Sequence, residues 1–270
     1  MKIDLHCHSL YSDGLLSPAE LLKLALEQHV DCFALTDHDS VFGCEEILKL
    51  AQNYPVRVLA GMELSTEFLD ESVHIVCLFK DNIVPQELIA FSNEKKQSRK
   101  KRAIDMMNNI KKYYGLKIDI DSLIAESEVI TRANMAYHIA KLNGISLKEA
   151  EPYVDKKSLA YIPSTKLSLE EGLAFVKSCG CLTILAHPCL LPRNVVEKIV
   201  TMGVDGIEVR YPKNNEGDED YFKTLAQKHN LLISAGSDFH GDAGTKHAMM
   251  GTSTLNEEEF APILERLCLR

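Results

Sequence analysis

In the first third of the chain, two kinds of segment alternate. In one kind the apolar residues recur at every second position, as in strands, and in the other they recur every three or four positions, as in amphipathic helices. From Ile3 to His8, apolar and polar residues alternate, which predicts a strand with two different faces. Ser17 and Glu20 have the spacing of a capping box, with a proline between them, and predict the start of a helix. The elements predicted after the first strand are helices at about 17–28 and 41–52 and strands at about 32–36, 56–61 and 73–79.

From about residue 85 to residue 166 the strand pattern stops, and charged segments with helical spacing replace it. Helices are predicted there at about 94–113, 131–142 and 146–154. The alternation then resumes, with helices at about 168–178, 193–202, 221–229 and the C-terminus, and strands at about 181–186, 206–210, 231–235 and 249–254. About seven core strands alternating with helices predict an α/β fold, with a parallel sheet or barrel and a helical insertion.

The composition is that of an ordinary globular protein, with 46% hydrophobic and 26% charged residues in a chain of 270. No apolar run approaches the roughly 20 residues of a membrane span, and no secretory signal is recognised. The eight cysteines are scattered without a C-x-x-C motif, which indicates free thiols in a reducing compartment. We therefore expect a cytoplasmic protein that does not contact membranes and has no evident obligate protein partner.

The net charge of −9 argues against broad electrostatic binding to nucleic acid, and no DNA duplex is expected as a partner. An anionic substrate would need local cations to overcome this field. Bound metal ions could provide them.

Polar residues at the predicted strand ends supply candidate metal ligands. Residues two apart in a strand share a face, so His6 and His8 project together. Ligands gather at the carboxyl ends of strands in α/β folds, where further imidazoles and carboxylates occur. The nine candidate ligands are His6, His8, Asp13, His38, Glu63, His74, His187, Asp238 and His240. One ion needs about four to six ligands, so nine fit two or three divalent ions, and mixed nitrogen and oxygen ligation suits Mn, Fe or Zn.

The order of these motifs resembles the PHP (polymerase and histidinol phosphatase) superfamily over about residues 1–80 and 166–255. The motifs are H-x-H at 6–8, T-D-H-D at 36–39, Glu63, His74, A-H-P at 186–188 and S-D-F-H at 237–240. The resemblance implies a distorted, TIM-like (β/α)7 barrel formed by residues 1–84 and 167–270. It also implies that the helical insertion, residues 85–166, contributes to the substrate pocket.

Within the superfamily, the sequence is most similar to nucleoside 3′,5′-bisphosphate phosphatases and to 5′→3′ exoribonucleases that act on short RNA. Asp13 stands where histidinol phosphatases tend to have histidine, the insertion lies between His74 and the A-H-P motif, and residues 206–212 also resemble this branch. One departure is the sequence of residues 131–134, Thr-Arg-Ala-Asn, where relatives usually have Arg-Pro-His. The expected substrate is a small phosphorylated nucleotide or a short RNA. A histidinol phosphatase and a non-catalytic metal-binding module are the alternatives.

The resemblance also implies roles for the candidate ligands. One ion would be held by His6, His8, Glu63 and Asp238, a second by Glu63, His74 and His187, and a third by Asp13, His38 and His240. The expected catalytic residues are Glu63, Asp238 and His240. A metal-bridging hydroxide would attack phosphorus in line, and His240 or a metal-bound water would assist the leaving oxygen. Asp37 and Asp39 would orient His38 or neighbouring ligands.

Arginine suits the recognition of a phosphate that does not react, and Arg132 and Arg210 are the first candidates. The further candidates for substrate binding are Asn134, Arg193 and Tyr211. Arg210 has a second interpretation, an ion pair with an acidic residue at a strand end. Lys95, Arg99 and Arg102 share one side of a helix and are either a solvated face or a guide for an RNA backbone. The remaining histidines, His29, His138, His229 and His247, are expected to be structural.

Overall fold

The computed structural model describes residues 1–126, 130–163, 165–241 and 248–269. The strands in these ranges are β1 (Ile3–Cys7), β2 (Cys32–Leu35), β3 (Arg57–Phe68), β4 (Glu71–Leu78), β5 (Leu167–Ser168), β6 (Leu182–Leu185), β7 (Gly206–Arg210) and β8 (Leu232–Ala235). Seven of them follow the order β1-β2-β3-β4-β6-β7-β8, and the short β5 pairs with β3. A parallel bridge between Cys7 and Phe239 joins the two ends of this order. The strands therefore form a nearly closed barrel, which confirms the predicted fold class.

The direction of β4 differs from the sequence-based expectation of a parallel sheet. β1, β2 and β3 are parallel to one another, as are β6, β7 and β8, but β4 is antiparallel to both of its neighbours. β3 continues seven residues beyond its predicted end at residue 61 and forms a hairpin with β4 through Leu69 and Asp70, which both have positive φ. The polar residues that follow residue 61 belong to the strand because they alternate with buried Met62 and Leu64.

Helices cover the barrel and build the inserted segment. They are α1 (Pro18–Glu27), α2 (Phe42–Ala51), α3 (Gln86–Tyr114), α4 (Ile120–Glu126), α5 (Arg132–Asn143), α6 (Leu147–Val154), α7 (Leu169–Ser178), α8 (Arg193–Ile199), α9 (Asp218–His229) and α10 (Glu257–Arg266). The predicted capping box at the start of α1 is present, with reciprocal hydrogen bonds between Ser17 and Glu20. None of these helices has the length and apolar character needed to cross a bilayer.

The predicted closing strand near residues 249–254 is wrong. That segment lies in turns, with Gly251 at a φ of 79°, and the β-type pairing described next to it is one antiparallel bridge from Leu255 to Ile3. Instead of a strand, a buried carboxylate ties the segment to the barrel, because the Gly251 amide donates a 2.7 Å hydrogen bond to Asp4.

Helix α3 connects the barrel to the helices that follow it. Leu88, near its start, packs in a barrel core cluster, whereas Met106 and Ile110 pack in a separate cluster formed with α4, α5 and α6. The described part of residues 85–166 contains no strand, in agreement with the helical pattern of the sequence. The inserted helices therefore have a small core of their own beside the barrel.

Candidate metal centre

Nine imidazole and carboxylate side chains converge at one end of the barrel. His6 lies on β1 and His8 follows it, Asp13 lies in the next loop, and His38 follows β2. Glu63 lies within β3 and His74 near the start of β4. His187 follows β6, and Asp238 and His240 follow β8.

His74 reaches this end of the barrel because β4 is antiparallel. The carboxyl ends of the parallel strands lie at the site, so the beginning of an antiparallel neighbour lies there too. In the hairpin His74 pairs with Ser65, two residues beyond Glu63. The hairpin thus positions both a carboxylate and an imidazole.

Glu63 is completely buried at the centre of the cluster, and its two oxygens face different imidazoles. Oε1 lies 3.0 Å from His74 Nδ1 and 2.9 Å from His187 Nε2. Oε2 lies 2.8 Å from His38 Nδ1 and 3.3 Å from Nε2 of both His6 and His8. A carboxylate in this position can bridge two ions.

The ligand atoms form three groups that could each hold an ion. The groups are His6, His8, Glu63 and Asp238; His8, Asp13, His38 and His240; and His38, Glu63 and His74. The first group has the same four members as the set that the family resemblance implies for one ion. The second group contains Asp13, His38 and His240, the set implied for the third ion, together with His8. His187 joins the remaining group through Glu63, and its ring lies 5.2 Å from that of His74.

The donor set fits divalent cations. Among the described residues, several buried atoms lie 2.8–3.3 Å from one another without the geometry of a hydrogen bond, namely Oε2 of Glu63, Nδ1 of His38 and Nε2 of His6 and His8. Such atoms are rare in a folded protein unless an ion satisfies them. Burial and the nearby charge of His240 lower the pKa of His8 to about 3, so this imidazole is neutral at pH 7. Burial would raise the pKa of Glu63, but the surrounding imidazoles hold it well below its usual range, so the carboxylate is ionised.

The backbone is strained at two of the candidate ligands. His187 and Asp238 have positive φ values of 31° and 51°, in the region that side-chain-bearing residues seldom adopt. Close packing also fixes His6. The backbone of Gly236 lies so near that a Cβ added to this glycine would be 2.2 Å from the Cβ of His6. The ligand loops are therefore held in place by the protein itself.

Buried acidic residues support the ligands, and sequence reasoning missed two of them. Glu208 lies 3.3 Å from His6 Nδ1 and accepts a 2.6 Å hydrogen bond from the amide of His187. Asp4 accepts hydrogen bonds from the amide and the hydroxyl of Ser237, next to Asp238. The signal available in the sequence was an acidic residue inside an apolar strand, at positions 4 and 208.

Asp37 and Asp39 lie beside the cluster, as expected, but they hold different partners from His38. Asp37 accepts hydrogen bonds from the amide and hydroxyl of Ser9 and from the Ser12 hydroxyl, and so fixes the loop that carries Asp13. Asp39 accepts a hydrogen bond from the amide of Ser65 and forms an ion pair with Arg99.

A cavity of about 390 Å³ opens beside the ligand cluster. Asp13, His38 and His74 line one part of it. The remaining wall carries five cationic side chains, from α3, from the start of α5 and from the segment before β5. They are Lys95, Arg99, Arg102, Arg132 and Lys166, and we call them the cationic wall.

The predicted substrate residues are distributed over several places, and of the five only Arg132 is among the residues that line this cavity. Asn134 caps α5 through reciprocal hydrogen bonds with Thr131. Arg193 pairs with Asp218 at 3.2 Å and lies over the Tyr221 ring.

The other two predicted substrate residues are occupied by protein partners. Arg210 forms ion pairs with Glu219 and Glu259, which favours the ion-pair interpretation over a phosphate role. Tyr211 donates a hydrogen bond to Asp238. Of the histidines expected to be structural, His138 is buried in α5, and His247 lies outside the described residues.

The chain is similar to characterised proteins over most of its length. Residues 4–165 match the family model described as PHP domain. A 5′-3′ exoribonuclease of Haemophilus influenzae is 29% identical over 257 residues, which cover 90% of this chain and 91% of that protein. A 3′,5′-nucleoside bisphosphate phosphatase of Chromobacterium violaceum is 29% identical over 256 residues, covering 90% and 89%. A crystal structure from Bifidobacterium adolescentis, assigned as a metal-dependent phosphoesterase, gives a TM-score of 0.85 at 26% identity and covers 98% of this chain and 96% of that one.

Proposed function

This chain belongs to the PHP domain family and is a metal-dependent phosphoesterase, and we propose that it hydrolyses a phosphomonoester of nucleoside 3′,5′-bisphosphates. The observation that carries the substrate proposal is the cationic wall, which shares one cavity with the metal-ligand cluster. A bisphosphate has one phosphate for the ion cluster and a second for these cations. Because the chain as a whole has a net charge of −9, this cluster of five cations is a local feature of the site.

Arg102 and Arg132 are the members of the wall best suited to the second phosphate. Arg102 donates from Nε to the carbonyl of Ile162 at 2.6 Å, and its guanidinium lies over the Tyr161 ring. Burial and the positive charges of Arg132 and Arg99 lower the pKa of Arg102. Neighbouring cations that repel one another are stabilised by a bound dianion, and arginine can bind phosphate through two parallel hydrogen bonds.

The described contacts leave these two arginines only weakly neutralised by the protein. Arg102 has no carboxylate partner within the residues that the structure describes. The partner of Arg132 is Asp155 at 3.9 Å, and both side chains are exposed. An exposed pair at this distance contributes little, so Arg132 is available to an anion.

The nine ligands would hold two or three divalent ions at the end of the barrel. When bound, such ions lower the pKa of a water molecule toward neutrality and neutralise phosphoryl oxygens. Glu63 keeps the surrounding imidazoles oriented through both of its oxygens. Glu208 fixes two of these imidazoles a second time, His6 at its Nδ1 and His187 at its backbone amide.

The geometry of His240 supports a ligand role. Its Nδ1 donates to the carbonyl oxygen of Asp238 at 2.8 Å, so Nε2 is the nitrogen that would bind an ion once it has lost its own proton. Nε2 lies 3.2 Å from Asp13 Oδ1, within the third implied ligand set. The expected assistance to the leaving oxygen would require a proton on Nε2 and stays a prediction.

A substrate panel tests the proposal. Phosphate release is measured from a nucleoside 3′,5′-bisphosphate, histidinol phosphate and an aryl phosphate, with wild type, Arg132→Ala and Arg102→Ala. Hydrogen bonds to charged groups contribute about 1.5–3 kcal/mol, so each variant should lose roughly 10- to 150-fold in kcat/KM for the bisphosphate. The aryl phosphate, which lacks a second phosphate, should change little. Equal losses on both substrates would refute the proposal, and preferred turnover of histidinol phosphate would favour that alternative.

Short 5′-phosphorylated RNA is a second candidate substrate, favoured by the cations that α3 presents to the cavity. Lys95, Arg99 and Arg102 lie on one side of this helix, at spacings of four and three residues, and all three line the cavity. The salt dependence of RNA cleavage, compared with that of mononucleotide hydrolysis, tests this candidate. Contacts with several phosphates predict a steeper loss of RNA cleavage with rising salt. Identical salt dependence would indicate that the helix face is only solvated.

A further inference from the structure

The two oxygens of Asp238 face different surroundings. Oδ1 lies 3.1 Å from His8 Nε2 and 3.5 Å from His6 Nε2, on the side of the ion cluster. Oδ2 accepts a 3.0 Å hydrogen bond from the Tyr211 hydroxyl. A carboxylate can rotate about its last bond, so a donor on one oxygen determines which oxygen faces the ions.

Tyr211 is itself held in place. It is 5% exposed, directly follows β7, and its ring lies 5.5 Å from that of His187. Because its hydroxyl is committed to Asp238, Tyr211 is a poor candidate for phosphate binding.

The residue before Tyr211 anchors the end of β7. Arg210 donates from both terminal nitrogens to Glu259, at 2.8 and 2.6 Å, and from Nε to Glu219 at 2.7 Å. It also donates to the carbonyl of Thr254 at 3.2 Å. These partners lie on α10, on α9 and in the segment that replaces the predicted closing strand. Arg210 therefore connects the end of β7 to three neighbouring parts of the barrel.

We infer that Tyr211 is a positioning residue for the metal centre, whose hydroxyl directs Asp238 Oδ1 toward the ions, and that Arg210 fixes Tyr211 for this role. The sequence made both residues candidates for substrate binding, with an ion pair as the second interpretation of Arg210, and the geometry favours a positioning task for both. The inference rests on the proposed function in one respect: the cluster must bind divalent ions. It does not depend on which phosphoester reacts.

The chemical reason is that Asp238 must present one oxygen to the ions although its carboxylate can rotate. The Tyr211 hydroxyl, 3.0 Å from Oδ2, holds the other oxygen. A hydrogen bond from an outer residue fixes a ligand before the ion arrives, and its removal typically weakens metal binding about 10- to 100-fold. Without the hydroxyl, Oδ2 is unpaired and can turn toward the ions.

Tyr211→Phe tests the inference, because it removes the hydroxyl and keeps the ring. Tyr221→Phe is the matched control, since that hydroxyl donates to Glu197 at 3.0 Å in an exposed pair on the outer helices. Metal-free proteins are titrated with Mn²⁺ by calorimetry. We expect one class of site in Tyr211→Phe to bind about 10- to 100-fold more weakly, with Tyr221→Phe like wild type. The visible absorption of the Co²⁺-loaded protein should also change in Tyr211→Phe alone.

Unchanged Mn²⁺ affinity and an unchanged Co²⁺ spectrum in Tyr211→Phe would overturn the inference. If that variant does not fold, Arg210→Lys provides the second test, since it keeps the charge but loses the paired hydrogen bonds to Glu259. A smaller shift in the same class of site is expected there, and no shift would count against the inference. Because neither readout uses a substrate, failure of the bisphosphate assay would leave these results interpretable.

Discussion

Arg99, on the long inserted helix, forms an ion pair with Asp39, the residue directly after the candidate ligand His38. Asp39 is almost completely buried and also accepts a 2.8 Å hydrogen bond from the amide of Ser65 on β3. Arg99 at the same time lines the cavity that receives the proposed substrate. One guanidinium therefore joins the inserted helices, the metal centre and the cationic wall.

Removal of Arg99 is predicted to destabilise the protein. Arg99→Gln leaves the buried Asp39 carboxylate without its countercharge, and loss of one partner of a buried pair costs about 3–5 kcal/mol. We expect the lower end of that range, because the Arg99 side chain is 24% exposed. Urea denaturation of the metal-free protein measures the change in free energy of unfolding.

The matched control for this prediction is Arg193→Gln. Arg193 also pairs with an aspartate, Asp218, but its side chain is 61% exposed. Because the Arg193 guanidinium is solvated, this pair should contribute only about 0–1 kcal/mol, although Asp218 itself is buried. A double variant with Asp39→Asn should recover much of the stability lost in Arg99→Gln. Equal losses from the two single arginine variants would contradict the prediction.

Glu63 and Asp13 should differ in their effects on ion binding. Glu63 belongs to two of the three ligand groups, whereas Asp13 belongs to one. Metal analysis after dialysis should show that Glu63→Gln loses at least one ion and that Asp13→Asn retains the ions of the other groups. Phosphatase activity of Glu63→Gln should fall by at least about 100-fold, the upper end of the effect of removing an outer-shell partner. Full metal retention by Glu63→Gln would show that Glu63 does not bridge ions.

Gly236→Ala is predicted to disturb His6 without changing any charge. The added Cβ would lie 2.2 Å from the His6 Cβ and 2.7 Å from Glu208 Oε1, so both residues must be displaced or the backbone at residue 236 must shift. Overpacking of this kind costs about 1–3 kcal/mol in free energy of unfolding. Thermal denaturation of the metal-free protein, together with Mn²⁺ titration, measures both effects. Wild-type values in both experiments would show that the site tolerates the displacement.

The ion pair between Arg210 and Glu259 predicts a pH dependence of stability. The hydrogen bond from Arg210 lowers the pKa of Glu259 below its usual value. A carboxylate with a lowered pKa stabilises the fold above its ordinary pKa of about 4.5, and this contribution is lost as pH falls through the lowered value. Glu259→Gln should therefore be less stable by about 1–2 kcal/mol at pH 7. The difference from wild type should shrink as the pH falls below about 4.5, as measured by urea denaturation at several pH values. A difference that is constant with pH would exclude this ion pair as its source.

Much of the site could be anticipated from local sequence rules. His6 and His8 share a face because the strand period is two, and their rings lie 5.2 Å apart. His38 and His187 directly follow strands whose carboxyl ends meet at one end of the barrel. These rules need only the identity of the strands and their common direction.

Other features depend on pairings between distant segments. Glu63 was expected at a strand end, but it lies within β3. The strand is longer than predicted because β3 continues to Phe68 in its hairpin with β4. The partners of Arg210 and Tyr211 lie up to 49 residues away along the chain. No local period signals such side-chain contacts, so the sequence could name Arg210 and Tyr211 as substrate candidates, and an ion pair as the alternative for Arg210, but could not identify their partners.

The antiparallel direction of β4 has a consequence for how substrate choice can change. β4 ends at the opposite face of the barrel from the ions, where the side chain of Asn82 donates to the carbonyl of Val58 near the start of β3. Helix α3 must therefore run back along the barrel for the 13 residues from Gln86 to Arg99, about 20 Å, before Arg99 reaches the cavity. The number of helical residues before Arg99 therefore sets the position of the cations. Deletion of one of these residues would rotate the cations by about 100° around the helix axis and shift them by about 1.5 Å along it. The reach of the proposed substrate pocket is thus encoded in the length of this helical segment, separately from the candidate metal ligands.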